Sequence, residues 1–123
     1  MGEKICSFKD LHAWQEAHKL TLAIYKTTQH FPKEEIFGVT NQIRRSAVSI
    51  EVNIAEGFSR RSSKEKANFL HISLGSATET ESHCLVAKDL GYIPLDSWLA
   101  IERQIVTVNK LCNGLIKSAR ALN

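Results

Sequence analysis

Apolar residues recur along the chain at steps of three and four, the spacing that gathers side chains on one side of a helix. Prolines and glycines interrupt this pattern at Pro32, Gly57, Gly91 and Pro94. None of the intervening segments alternates as a strand does. We therefore predict one all-α domain over residues 1–123, an antiparallel up-and-down four-helix bundle with helices at about 10–30, 33–57, 62–90 and 96–120.

Several predicted helix ends carry recognisable signals. Glu34 and Glu35 fall in the first turn of the second helix, where the helix dipole favours acids. Gly57 suits the C′ position that closes this helix, because glycine adopts left-handed geometry at no steric cost. Ser62 and Glu65 have the spacing of a capping box, which predicts the start of the third helix.

The fourth helix has the most regular apolar pattern, which is typical of knobs-into-holes packing in a bundle. Its members are Trp98, Ile101, Ile105, Val108, Cys112, Leu115, Ala119 and Leu122. The first helix instead has two apolar lines, one with Leu11, Trp14, His18, Leu22 and Tyr25, the other with Ala13, Ala17, Leu20 and Ile24. The pattern does not decide which line faces the core.

The second helix has three distinct faces rather than the single apolar stripe that a bundle requires. One stripe contains Ile43, Ala47, Ile50 and Ile54; a second contains Val48, Val52 and Ala55; a line of mostly small polar residues contains Gln42, Ser46, Ser49, Asn53 and Glu56. Either the bundle is tight, or another subunit covers the second stripe. We expect self-association through Val48, Val52 and Ala55, and hydrogen bonds from Asn53 and Glu56 to a neighbouring helix or loop.

Composition narrows the class of protein. No apolar run is long enough to cross a bilayer, and the first residues lack the apolar core of a secretory signal. Cys6, Cys84 and Cys112 are far apart and odd in number, which favours buried free thiols in the cytoplasm over disulfides. We expect neither a membrane association nor a cofactor.

No residue pattern indicates catalysis or a metal site. His12 and His18 are six residues apart, and His71 and His83 are twelve apart, so neither pair shares a helix face. The adjacent His83 and Cys84 point apart on a helix, and glycine-rich phosphate loops are absent. We expect a protein that is not an enzyme.

Cations crowd the turn between the second and third helices. Arg60, Arg61, Lys64 and Lys66 lie there, next to a helix N-terminus that would favour a phosphate. Arg44 and Arg45 lie about four turns earlier on the second helix. Such a turn is either solvated surface or, repeated around an oligomer, a surface for the phosphates of nucleic acid.

The chain also resembles a known family. The segments FKDLHAWQEAHKL, FPKEEIFGVTNQIRRSAVSIEVNIAEGFSRRSSKE, FLHISLGSATETESHCLVAKDLGY and LCNGLIKS are similar to those of the bacterial 23S rRNA-intervening-sequence proteins. Arg44, Arg45, Arg60 and Arg61 match recurrent basic positions, and Asn53, Glu56 and Gly57 match the family's signature. Glu51 and Val52 depart from it, since small residues or proline are common there.

The resemblance implies a four-helix bundle that assembles as a cyclic pentamer. Some members resemble the accessory protein of diversity-generating retroelements, which binds a reverse transcriptase and nucleic acid through a basic surface. We therefore predict a non-enzymatic homo-oligomer that binds RNA or DNA, or a nucleic-acid-processing complex, through Arg44, Arg45, Arg60, Arg61, Lys64 and Lys66. The alternative is a protein-interaction scaffold with no direct nucleic-acid contact.

Overall fold

A computed structural model describes residues 4–121 of the chain. Its α-helices are α1 (His12–Thr28), α2 (Val39–Ser59), α3 (Ser63–Asp89) and α4 (Leu95–Ala121), and short 3₁₀ turns lie at Phe8–Asp10 and Lys33–Glu35. Each α-helix packs on the next, the contact of α2 with α3 is the most extensive, and α4 closes the bundle on α1. The predicted all-α four-helix bundle is confirmed.

The core consists of one stripe from each helix. The predicted seam of α4 is buried from Trp98 to Ala119, although Ile116 takes the buried position assigned to Leu115, which packs partly buried beside it. Leu122, the last predicted seam residue, lies outside the described residues. On α1 the buried line is that of Ala13, Ala17, Leu20 and Ile24, whereas Leu22 and Tyr25 are exposed.

The second helix begins later than its sequence pattern predicts. Lys33–Glu35 forms a separate 3₁₀ turn, and α2 starts only at Val39. Gly38 separates the two, because its ψ of −119° lies outside the helical range. The predicted placement of Glu34 and Glu35 in the first turn of α2 is therefore wrong. Tyr92 donates a hydrogen bond to Glu35 at 3.1 Å, and this bond to a carboxylate raises the pKa of the Tyr92 hydroxyl.

The second helix also ends later than predicted. Gly57 is helical and buried, and α2 continues to Ser59, with Arg60 as its C-cap. A Cβ on Gly57 would lie 3.2 Å from Phe69 Cβ and 3.3 Å from the Lys66 carbonyl oxygen. Gly57 therefore permits α2 and α3 to approach closely, and the prediction that it is the C′ residue of α2 is wrong.

The helix-end signals predicted for α3 are confirmed in part. Ser62 Oγ accepts from the backbone N–H of Glu65 at 3.1 Å, as predicted. The Glu65 carboxylate, however, accepts from the Ser62 hydroxyl rather than from its backbone N–H, so the capping box is incomplete. At the other end, Gly91 adopts a φ of 84° just beyond α3, which is the predicted glycine termination.

Candidate nucleic-acid interface

The small polar line of α2 packs directly on α3. Thr80 donates to Ser46 at 2.8 Å, and the hydroxyl oxygens of Ser49 and Ser76 lie 2.8 Å apart. Ser73, fully buried, donates to the carbonyl oxygen of Ile50 at 2.9 Å. The hydroxyls thus satisfy one another where the helices approach, as buried polar groups must. This part of the α2 surface is therefore buried between the two helices. We call the exposed surface along its edge, where α2 meets α3, the α2–α3 face.

Asn53 and Glu56 have local partners. Asn53 donates to the backbone carbonyl of Ser49 at 2.8 Å, within its own helix, so the expected bond to a neighbouring element is wrong for this residue. Glu56 accepts from Arg60 at 2.8 Å, so its expected bond to the following turn is confirmed. Both side chains stabilise the second half of α2 and its end.

Two of the cations at the turn are engaged within the protein. The guanidinium of Arg60 pairs with Glu56 and lies 4.6 Å from the ring centroid of Phe69. Lys66 Nζ donates to the backbone carbonyl of Phe58 at 2.9 Å and lies 5.6 Å from that residue's ring centroid. Recruiting either cation to a phosphate would break these contacts, so each is a weaker candidate ligand than its sequence position suggests.

Arg44 is engaged in the same way at the other end of α2. Its Nε donates to Thr28 at 2.8 Å, and its guanidinium lies 4.7 Å from the ring centroid of Tyr25. Arg44 therefore joins α2 to α1, whereas the adjacent Arg45 is exposed on the side of α3.

The remaining predicted cations are Arg45, Arg61 and Lys64, and all are exposed. Within residues 4–121, they make no side-chain hydrogen bond or ion pair. Arg61 and Lys64 lie together at the turn, but Arg45 is about 21 Å from that end of α2 by the helical rise. The six predicted residues thus do not form one cluster; the free ones lie at the two ends of α2.

The second apolar stripe of α2 lies on the other side, next to α1. Val52 is 47% exposed, and Val48 and Ala55 are half-buried. An open groove of about 410 Å³ runs beside Val52 and Ala55 and is bounded by Phe8 and Trp14. This surface is accessible and apolar, and its role as an oligomer interface stays a prediction.

The same groove contains a contact that sequence reasoning did not anticipate. His18 Nδ1 lies 3.0 Å from the Glu51 carboxylate, and the His18 ring stacks on Trp14 with centroids 4.8 Å apart. Glu51 is one of the positions at which the chain departs from its family pattern. Its charge is thus placed against a histidine on α1 rather than on free surface.

The cysteines divide into two groups. Cys84 and Cys112 are buried free thiols, as predicted, and burial raises the pKa of each to about 12. They are protonated at neutral pH and unreactive for that reason. Cys6 is exposed, so its predicted burial is wrong.

Neither a metal site nor a membrane span was found in residues 4–121. No three histidine, cysteine or acidic side chains in that range are grouped as metal ligands would be. None of the helices there is long and apolar enough to cross a membrane. The prediction that the protein is not an enzyme stays a prediction.

Sequence reasoning missed one conspicuous surface residue, Phe37. Its side chain is 92% exposed, more than any other large apolar side chain in the described range. The signal was the Phe37-Gly38 pair, which interrupts the apolar pattern just before α2 begins. We assigned this segment to a continuous helix and therefore did not recognise its exposure.

These features define an antiparallel four-helix-bundle protein with a polar α2–α3 face and exposed cations near both ends of α2. The family model described as 23S rRNA-intervening sequence protein matches residues 9–114, and the chain belongs to that family.

A solved structure from Bacteroides thetaiotaomicron VPI-5482 is also similar. It is described as a protein with unknown function from the S23 ribosomal protein family. It is 28% identical and covers 85% of this chain and 98% of its own, with a TM-score of 0.76. No curated protein matches the sequence.

Proposed function

We propose that this protein is a non-enzymatic, self-associating helical bundle that binds the phosphates of nucleic acid through exposed cations at the ends of α2. One observation carries the proposal: Arg45, Arg61 and Lys64 are exposed and free of side-chain partners within the described residues. A cation without an internal partner contacts a phosphate without first breaking a native interaction. The formal net charge of +3 acts in the same direction.

Recognition of this kind depends on charge and depends little on sequence. Phosphate contacts fix position, whereas sequence is read from base edges. The proposed setting is the cytoplasm, in keeping with the free thiols of Cys84 and Cys112. A cyclic pentamer, which the family resemblance favours, would repeat each basic end around a ring and strengthen its field.

Fluorescence anisotropy of labelled structured RNA and duplex DNA at several salt concentrations tests the proposal. For the double variant Arg61→Ala/Lys64→Ala, we expect the slope of log affinity against log salt to fall by about 2, since each lost phosphate contact removes about one unit. The matched control is Arg103→Ala/Lys117→Ala, which removes two exposed cations of α4. An equal fall in the control would show that only net charge matters, and a wild-type protein that binds neither ligand at low salt would reject the proposal.

Self-association is tested separately by sedimentation at micromolar concentration. We expect a species several times the 13.8 kDa chain mass, and loss of that species in Val52→Asp, because a charge on the exposed apolar stripe would be desolvated in an interface. A wild-type protein that sediments as a single chain would contradict the proposed self-association. That result would leave the nucleic-acid proposal unaffected.

A second candidate function is a protein-interaction scaffold without nucleic-acid contact, for example one that holds a polymerase such as a reverse transcriptase. The observation in its favour is that Arg44, Arg60 and Lys66 already have internal partners. The anisotropy experiment separates the two functions, since a scaffold would show no salt-dependent binding of either nucleic acid.

A further inference from the structure

An open groove lies on the α2–α3 face where α2 begins. It has a volume of about 620 Å³, within the range of small-ligand sites. Phe37, Asn41, Gln42 and Arg45 line it from the α2 side, and Glu79 and His83 line it from α3. It is far from the basic turn, at the opposite end of α2. We call it the α2–α3 groove.

Phe37 is the feature of this groove that needs an explanation. Its ring is 92% exposed, and the next most exposed large apolar residue, Leu95, is 63% exposed. The ring contributes nothing to the core. Phe37 lies within a tight turn, in which the Gly38 N–H donates to the carbonyl of Glu35 at 2.9 Å, and α2 begins two residues later at Val39. An aromatic ring this exposed is available to stack on a flat partner.

The residues next to Phe37 supply charge and hydrogen-bonding groups. Arg45 is exposed, and within residues 4–121 its guanidinium has no hydrogen bond or ion pair, so it is free to contact a phosphate. Asn41 and Gln42 are exposed on the same edge of α2, and their amides both donate and accept. Proteins bind unpaired bases through this combination of groups, an aromatic face, a guanidinium and amides.

The floor of the groove is formed by short polar side chains whose hydroxyl groups already have hydrogen-bond partners. Ser49 is bonded to Ser76, and Ser46 accepts from Thr80. Short side chains at these positions leave the space that forms the groove, and their mutual bonds fix its floor. No polar group of this floor needs to be desolvated without a partner when a ligand enters.

The opposite wall limits where a phosphate can lie. The Glu79 carboxylate is 3.3 Å from His83 Nε2 and would repel an anion placed beside it. A phosphate is therefore confined to the side of Arg45. A carboxylate accepts hydrogen bonds from the exocyclic amino group of a base, so the wall of Glu79 suits the base rather than the backbone.

We propose that the α2–α3 groove binds an unpaired nucleotide of single-stranded nucleic acid, with the base stacked on Phe37 and the phosphate held by Arg45. This inference rests on the proposed function, because nucleic acid has to bind for a base to be captured. It goes further in naming the single strand as the preferred ligand and in adding an aromatic residue to the site.

The test compares Phe37→Ala with wild type by anisotropy, using one labelled 20-nucleotide mixed-sequence strand, single or annealed to its complement, at one salt concentration. Loss of a base–aromatic stack is expected to weaken single-strand binding by about five- to a hundredfold. Duplex binding should change by less than about twofold, because paired bases are not available to stack. Phe37→Trp, which keeps an aromatic face, should retain single-strand affinity.

Leu95→Ala is the matched control, since it removes another exposed apolar side chain outside the groove. Equal weakening of single strand and duplex in Phe37→Ala, or no weakening of either, overturns the inference and leaves the proposed function standing. Wild-type protein that binds neither form rejects both. Phe37 is exposed, so its loss should not unfold the protein; if sedimentation shows that Phe37→Ala loses an oligomer, the ring contacts a second copy and the inference is overturned.

Discussion

Replacing Ile50 with alanine is expected to lower the free energy of unfolding by about 2–5 kcal/mol. Ile50 lies in the middle of α2 and is completely buried in the core. The substitution removes apolar contacts and leaves a cavity that rigid neighbouring helices fill only in part. The carbonyl of Ile50 also accepts the hydroxyl of Ser73, so its backbone is held in place while the side chain is lost.

Urea unfolding followed by circular dichroism measures this effect. The control is Val106→Ala on α4, where the valine is 46% exposed, and it should change stability by no more than about 0.5 kcal/mol. Equal losses in the two variants would mean that Ile50 is no more buried in solution than an exposed valine. That result would contradict the assignment of Ile50 to the core of one subunit.

Replacing Ser73 with leucine is expected to destabilise the protein by about 2–4 kcal/mol, although the new residue is more apolar and a better helix former. Ser73 is completely buried, and its hydroxyl already lies 2.9 Å from the backbone oxygen of Ile50 on α2. A leucine has no room there without pushing α3 away from α2. The substitution also removes a buried hydrogen bond, which contributes about 1 kcal/mol of the loss.

Ser82→Leu is the matched control, because Ser82 lies on the same helix and is exposed. It should change the free energy of unfolding by no more than about 0.5 kcal/mol. If Ser73→Leu proved as stable as wild type, α2 and α3 would be more loosely packed than their hydrogen bonds indicate. The small polar residues would then not set the distance between these helices.

Much of the fold follows from local pattern. The α4 seam and the Ile43–Ile54 stripe were identified by helical spacing alone, because burial on one side of a helix imposes a period that short stretches of sequence display. Gly91 ended α3 as predicted, since a left-handed residue at that point is a local requirement. The family was recognisable for the same reason, as its motifs are continuous segments.

The errors occur where a residue's role depends on another helix. Gly57 has the sequence context of a helix terminator, yet it is buried inside α2 because Phe69 and Lys66 of α3 approach it closely. The sequence shows that a glycine is present but not what lies beside it. The start of α2 was misplaced for a related reason, because helical periodicity continued through a segment that Gly38 interrupts.

The candidate site shows the same division. The sequence alone was enough to locate six cations near the ends of α2, through composition and spacing. Only the tertiary structure separated Arg44, Arg60 and Lys66, which have aromatic, carboxylate or carbonyl partners, from Arg45, Arg61 and Lys64, which have none among the described residues. The charge of a residue is fixed by its side chain, but its availability depends on neighbours that packing brings together.

The sequence by itself thus determined the number and type of the helices, the core stripe of α2, most of the α4 seam and the family, because each depends on local spacing or continuous motifs. The tertiary structure decided how closely α2 and α3 approach, which cations are free and that Phe37 stands in solvent. These features arise between residues far apart in the chain, such as Ser46 and Thr80 or Tyr92 and Glu35. Their geometry follows from the packing of whole helices, which no short stretch of sequence encodes.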